Sequence, residues 1–341
     1  MYLFGPFVAA TVAGTDAIHR PSPGSVVTVQ EATLRPPFHH LEFDPEELTR
    51  ARWAAGSTVS VCLPARDEAS TVGGIVRSIR EDLCERRGIV DEVIVMDDGS
   101  TDGTAAVAAD AGAQVVTVED VLRELGPGSG KGNVMWRSLF AARGDVICWV
   151  DADIRDFDVN FITGLLGPLL TDPSVGLVKG FYRRPANGLA HGGGRVTELV
   201  ARPLISKLFP SLSGIVQPLA GATAGRRSVL EAVPFVEGWG VEFALLVDVV
   251  ERFGLDRVAQ VDLGRIEHDS QTLQKLGPQA MAVLTVALRR AGLDPFEDPT
   301  SELLRFDVDH APEVERVPVA ERPPMITVPT YRVLFPEELP A

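Results

Sequence analysis

The chain has 341 residues, 45% of them hydrophobic, enough to bury the core of one large α/β body or of two modest ones. A formal net charge of -15 at pH 7 excludes general nucleic-acid binding, because phosphate backbones are held by basic stripes that this composition lacks. Any anionic substrate must therefore be gripped by a local basic cluster or through a metal ion.

Met1 to Gly14 is apolar but has no positively charged start, and no later stretch reaches the roughly 18 uncharged apolar residues a membrane helix needs. The expectation is a cytoplasmic protein without a membrane span. Residues 15 to 35 carry Pro and Ser with little periodicity, so 1–40 read as a flexible leader. From Thr58 the pattern becomes regular. TVSVCLP predicts a buried strand, and Ser70 to Cys84 has helical spacing with Ser70 as its cap. EVIVMD is a second strand, ending in the turn DDGSTDGT, where Thr101 or Asp102 can cap a helix starting near Gly103. A short strand AQVVTV, a glycine-rich loop GPGSGKG, a helix through Trp136 to Ala142 and the strand DVICWVDAD follow.

Strands alternating with helices predict a doubly wound, mostly parallel Rossmann-like sheet, with its ligand crevice beyond the carboxyl ends of the strands. The unusual residues fall at those ends: Pro64 to Glu68, Asp97 and Asp98, and Asp151 to Asp153. The second half is less regular. It offers a strand VGLVKGFYRR, a loop HGGG, helices from about Arg195 to Lys207 and Val241 to Phe253, and a strand RVAQVDL. This divides the chain into a nucleotide-sugar half (41–157), an acceptor half (158–295) and a Pro- and Glu-rich tail (296–341) that wraps the body or stays mobile. Cys62, Cys84 and Cys148 lie far apart and read as small core residues, not as zinc ligands or a disulfide framework.

The triplet Asp151-Ala152-Asp153 sets two carboxylates one residue apart just past a hydrophobic strand, where oxygen ligands suit a hard divalent cation. Alone it is as readily a solvated turn. Lys131, flanked by glycines, can meet a diphosphate, yet the loop is not a P-loop, because the glycine spacing is short and Asn133 replaces the Ser/Thr that binds Mg²⁺. GGGRVT places three glycines and Arg195 before a helix, a setting that favours an anion; the alternative is a plain loop with Arg195 paired to Glu198. Glu242 opens an apolar helix, either capping its first turn or orienting a substrate. His268 follows the last strand and turn and can return to the crevice, while His191 beside the glycine run is a weaker candidate and His19, His39, His40 and His310 have no motif around them.

The strand ending LPARDE, the DDGSTDGT turn and the DAD triplet resemble the nucleotide-binding half of GT-A glycosyltransferases. GKGNVMWRS, LVKGFYRRP, GGGRVTELVARPL, VQPLAGATAGRR, GWGVEFALLVD and LGRIEH are similar to the actinobacterial glucosyl-3-phosphoglycerate synthases and their mannosyl relatives, over about Val59 to Asp294. The resemblance implies a hexosyltransferase of GT-A fold. It would move glucose with retention from UDP-glucose to D-3-phosphoglycerate, with Mg²⁺ or Mn²⁺, making a precursor of glucosylglycerate and methylglucose lipopolysaccharide. By the same resemblance, Pro64, Ala65, Arg66, Glu68 and Asp98 frame the nucleoside, and Lys131 meets the diphosphate. Asp151 and Ala152 contact the donor, with Asp151, Glu242 and Lys131 at the reaction centre. Asp153 and His268 ligate the metal, Gly194, Arg195 and Thr197 hold the acceptor, and a homodimer is implied.

Two departures from the family pattern bear on the sugar. LGRIEH puts Ile266 where mycobacterial relatives carry an arginine two residues before the histidine, with Arg265 adjacent. After LAG the chain reads ATAGRR, so Ala222 and Thr223 stand where glucosyl enzymes often have a glutamate and an aromatic residue. Mannosyl transfer from GDP-mannose is the nearest rival. Further off are a polyprenyl-phosphate glycosyltransferase, a sugar-phosphate nucleotidyltransferase, whose glycine signature would follow the first strand, and a non-catalytic nucleotide-sugar sensor.

Overall fold

A computed structural model of the chain describes residues 34–184, 194–266, 272–294, 298–307 and 309–336. His268, His191 and His19 therefore lie outside the described residues. The strands are β1 (Phe38–His39), β2 (Val59–Ala65), β3 (Glu92–Asp97), β4 (Gln114–Thr117), β5 (Val146–Trp149), β6 (Leu177–Arg183), β7 (Thr223–Arg226), β8 (Phe235–Val236), β9 (Val258–Arg265), β10 (Thr300–Phe306), β11 (Pro312–Pro318) and β12 (Glu321–Arg322). The α-helices are α1 (Pro45–Ala55), α2 (Val72–Ile79), α3 (Thr104–Asp110), α4 (Gly130–Ala141), α5 (Asn160–Thr171), α6 (Arg202–Leu208), α7 (Arg227–Leu230), α8 (Val241–Phe253), α9 (Leu273–Arg290) and α10 (Pro329–Leu334).

Eight strands form one sheet in the order β1-β9-β6-β7-β5-β2-β3-β4. Every pairing in it is parallel except those of β7, which runs antiparallel to both β5 and β6. The inner strands are apolar on both faces because both faces are covered. Along β2, Val61 and Leu63 face a core shared with α2 and α5, while Cys62 faces the opposite core with Trp136 of α4 and Phe243 of α8. Burial raises the thiol pKa values of Cys62, to about 12, and of Cys148. All three cysteines are free, as a small-core role requires.

Helix α2 begins after Thr71, not after Ser70, and continues as a π-helical stretch over Arg80–Arg86. The Thr71 hydroxyl is spent on the Ala152 carbonyl at 2.6 Å, which ties this helix to the acidic triplet. The N-cap of α3 is Gly103, neither Thr101 nor Asp102, although the Asp102 carboxylate just before it accepts from the Thr104 backbone at 3.0 Å. The tail adds the hairpin β10–β11, pairs β12 with β8, and ends in α10, whose Tyr331 hydroxyl donates to the buried Glu231 at 2.6 Å. No helix among the described residues is long and apolar enough to cross a membrane.

Candidate active site

The turns that leave β2 and β3 are knitted together beyond the strand ends. Asp98 donates its backbone amide to Ala65 at 3.0 Å, continuing the ladder by one bond. Asp67 adopts φ 58°, a left-handed conformation that Asp tolerates better than most residues because its short polar side chain bonds locally. Its carboxylate accepts from the Thr101 amide at 2.8 Å, while its own amide donates to the Ser100 hydroxyl at 3.0 Å. The Glu68 amide donates to the Thr104 hydroxyl at 2.7 Å and the Ala69 amide to Asp102 at 3.0 Å. Pro64, Ala65, Arg66, Glu68 and Asp98 thus come to one edge. Arg66 is mostly exposed and stands 3.7 Å from Asp98, whose carboxyl pKa is raised by burial against the opposing pull of that guanidinium.

The second part of the site is buried charge. Ser129 is the N-cap of α4, so Lys131 sits in the first turn of that helix, not in a free loop. Its ammonium lies 2.6 Å from the Asp151 carboxylate beyond β5 and 3.0 Å from Glu242 at the start of α8. Burial alone would lower the pKa of this ammonium, but the two carboxylates reverse that and hold it above its ordinary value. Lys131 is therefore a cation throughout the physiological range. Glu242 is buried in the first turn of α8, and its carboxylate faces the Lys131 ammonium. Gly221 makes room for the pair: a Cβ there would stand 2.3 Å from Asp151 Oδ2 and 2.4 Å from Lys131 Nζ.

Lys179 of β6 was missed in the sequence, although a lone charge in LVKGFY on a strand of buried residues is a visible signal. It is 2% exposed, and its ammonium donates to the Ala220 carbonyl at 2.6 Å and to the Thr223 hydroxyl at 2.9 Å. Burial drives its pKa down to about 8; the Glu242 carboxylate offsets part of this, and Lys131 pushes the same way as burial. Thr223, one of the two departures from the family pattern, thus uses its hydroxyl inside the sheet. Ala222 beside it is 5% exposed and lies against Gly180, where an added Cβ would meet its methyl at 3.1 Å.

Gly194, Arg195 and Thr197 stand at the start of a second helical run, π-helical over Thr197–Ala201 and continuing as α6. Gly194 has φ 78°, which a side chain would strain, and its carbonyl accepts from the Glu198 amide at 3.0 Å. Glu198 pairs with Arg202 at 3.1 Å, one turn along the helix. Asp153 is half-buried on the turn after Asp151. Carboxylate oxygens in this position suit a hard divalent cation. Among the described residues, no three His, Cys, Asp or Glu side chains gather into a metal cage.

The model of glycosyl transferase family 2 matches residues 60–233, which include the whole first half of this site. Over 278 residues the chain is 49% identical to a glucosyl-3-phosphoglycerate synthase of Mycolicibacterium smegmatis, covering 80% of this chain and 91% of that one. The fold is similar to the glucosyl-3-phosphoglycerate synthase of Mycobacterium tuberculosis crystallised with Mn²⁺, UDP and glucosyl-3-phosphoglycerate. That match has TM-score 0.78 and 41% identity, covering 86% of this chain and 99% of that one. Other structures of that enzyme hold Mn²⁺ with UDP-glucose and phosphoglyceric acid, or Mg²⁺ with UDP. A mannosyl-3-phosphoglycerate synthase of Rubrobacter xylanophilus also matches, with TM-score 0.78 and 38% identity over 86% of this chain and 97% of that one.

Proposed function

The chain belongs to glycosyl transferase family 2 and, within it, to the glucosyl-3-phosphoglycerate synthases, and from that premise we propose how its residues share the reaction. The enzyme is a GT-A hexosyltransferase that moves glucose from UDP-glucose to D-3-phosphoglycerate with Mn²⁺ or Mg²⁺. The observation that carries the assignment of roles is the buried Lys131 ammonium between Asp151 and Glu242, at the carboxyl end of the sheet.

The nucleoside is framed by Pro64, Ala65, Arg66, Glu68 and Asp98, with Ala152 and Asp151 closing the donor side. Lys131 meets the diphosphate. In the transfer, the bond from the anomeric carbon to the β-phosphate oxygen breaks and one to the acceptor hydroxyl forms, while the hydroxyl proton passes to the departing diphosphate. Negative charge therefore grows on UDP, and the fixed Lys131 cation stabilises it without reorganising. Asp153 and His268 would hold the divalent cation, which when bound supplies further positive charge beside the diphosphate. Gly194, Arg195 and Thr197 hold the acceptor's anionic groups, and Glu242 orients its hydroxyl, so that much of the acceleration comes from placement. Transfer with retention by front-face attack belongs to the same reading, because the carboxylates nearest the centre are both engaged by Lys131.

These roles divide the chain into a donor half (41–157) and an acceptor half (158–295). Three free cysteines suit a reducing compartment, and we place the enzyme in the cytoplasm. A homodimer is part of the reading. Leu304 and Val314 face each other across β10–β11 and, with Phe306, are exposed on one face of the hairpin, a surface suited to a second copy. The test is proton NMR of the product made from UDP-glucose and D-3-phosphoglycerate with Mn²⁺. An α-glucosyl product is expected; a β-anomer would overturn retention, and no product would overturn the reaction.

A further inference from the structure

The loop that presents Lys131 is held from below by the tail of the chain. Arg322 of β12 donates to the Leu125 carbonyl at 3.0 Å and to the Pro127 carbonyl at 2.6 Å, both in the run leading into α4. Its Nε stands 2.8 Å from the Glu237 carboxylate, both residues being largely buried. The other Glu237 oxygen accepts from the Ser129 amide at 3.3 Å and lies 3.5 Å from its hydroxyl, and the Gly238 amide returns a hydrogen bond to the Ser129 carbonyl at 3.1 Å. Glu237 is in turn bonded through its own amide to Ala320 of the tail at 2.8 Å. The contact leaves no room for a side chain at Gly128 or Gly130. A Cβ on Gly128 would stand 2.1 Å from the Arg322 guanidinium, and one on Gly130 would stand 2.8 Å from the Gly238 backbone.

One guanidinium therefore spans two loop carbonyls and a carboxylate that itself grips the N-cap of α4, two residues before Lys131. The two hydrogen bonds of this planar fork to the carbonyls fix direction as well as distance, while Nε faces Glu237 as an ion pair without hydrogen-bond geometry; an ammonium would keep the charge contact and lose the fork. We propose that Arg322 is a positioning residue for the donor: with Glu237 it sets the loop at 125–130 so that Lys131 points at the diphosphate. The inference rests on the reading of Lys131 as the diphosphate contact. A structural staple alone would stabilise the chain without distinguishing between the two substrates, whereas a positioning role is specific to the donor.

The test uses the full chain and two variants. Arg322→Lys keeps the charge facing Glu237 but not the fork. The double variant R322M/E237Q removes both charges together, so that neither is left buried and unpaired. UDP binding with Mn²⁺ is measured by calorimetry, together with KM for UDP-glucose, KM for D-3-phosphoglycerate and Tm. The expected result is UDP affinity about tenfold weaker and donor KM about tenfold higher in both variants, with acceptor KM within about twofold of wild type. Unchanged UDP binding in both variants, or donor and acceptor constants worsening together, would overturn the proposal. A wild-type chain that binds no UDP would instead overturn the reading of the site itself.

Discussion

Around Asp67 and Asp98 the site is made of turn hydrogen bonds near the surface, whereas around Lys131 it is made of charge taken out of water. At the nucleoside edge, two loops exchange bonds with Ser100, Thr101, Asp102 and Thr104, each between 2.7 and 3.0 Å, and those to Ser100, Thr101 and Asp102 lie where solvent can replace them. At the centre, Glu242 is buried and Lys131 and Asp151 are half-buried, so each charge leans on the others. The difference teaches where a substitution should hurt. Exposed polar contacts contribute modestly, but removing one member of a buried ionic group leaves its partners uncompensated.

The largest effect is expected at the buried centre. Lys131→Met should lower kcat by about 10²- to 10³-fold, since a fixed charge facing the leaving group is lost, and should destabilise the fold by about 3 kcal/mol by orphaning two carboxylates. Steady-state kinetics and urea unfolding check both parts; a variant with near-normal kcat would remove Lys131 from the mechanism. Asp153→Ala, at the proposed metal ligand, should abolish metal-dependent turnover while leaving the fold intact, because Asp153 stands half-buried on a turn and not in the core. Activity that still responds to Mn²⁺ as in the wild type would assign the metal elsewhere.

A smaller and pH-dependent effect belongs to Lys179. Its folded pKa, pushed down to about 8, lies below the unfolded lysine value, so burying the ammonium costs stability in full at pH values below about 8. As pH rises from about 8 toward about 10.5, the folded state loses this proton before the unfolded one, and stability rises by about 3 kcal/mol relative to neutral pH. The ionisation of Cys62 and Cys148 works in the opposite direction in alkali, since burial raises their folded values. The comparison is therefore the wild-type stability minus that of Lys179→Met. That difference should grow from pH 8 to 10; a flat difference would mean that the lysine is not desolvated as described.

The smallest effect is expected at the nucleoside edge. Asp67→Ala loses the bond to Thr101 and places a Cβ residue at positive φ without a local partner, which should cost about 1–2 kcal/mol and raise donor KM a few-fold. Asp67→Asn should recover most of both, because asparagine keeps the acceptor oxygen and tolerates the left-handed region. Thermal melts and donor titrations separate the two variants. Equal losses in Ala and Asn would show that the carboxylate charge matters more than the turn.

The donor half was legible because its signals are local. LPARDE, DDGSTDGT and DAD each announce a strand end and a turn within a few residues, and the parallel sheet follows from their alternation with helices. Helix α8 was also readable from the apolar spacing after Gly240, and in the structure its Glu242 lies 3.0 Å from Lys131. Other features were not legible because they depend on distant pairing. The antiparallel insertion of β7 between β5 and β6 leaves no mark in a strand of four residues, TAGR. The use of Thr223 by Lys179 and the clamp of Arg322 on Pro127 join positions 44 and 195 residues apart, beyond the reach of any periodicity. The acidic composition gave no hint that its few buried lysines would gather beside the acidic triplet.

The most direct test of the account is nucleotide release by the purified chain with Mn²⁺, comparing UDP-glucose and GDP-mannose, each with and without D-3-phosphoglycerate. The account predicts release from UDP-glucose that depends on the acceptor and disappears with EDTA, and far less from GDP-mannose. Acceptor-dependent release from GDP-mannose in preference to UDP-glucose would contradict the sugar assignment, and binding of UDP-glucose without release would contradict catalysis.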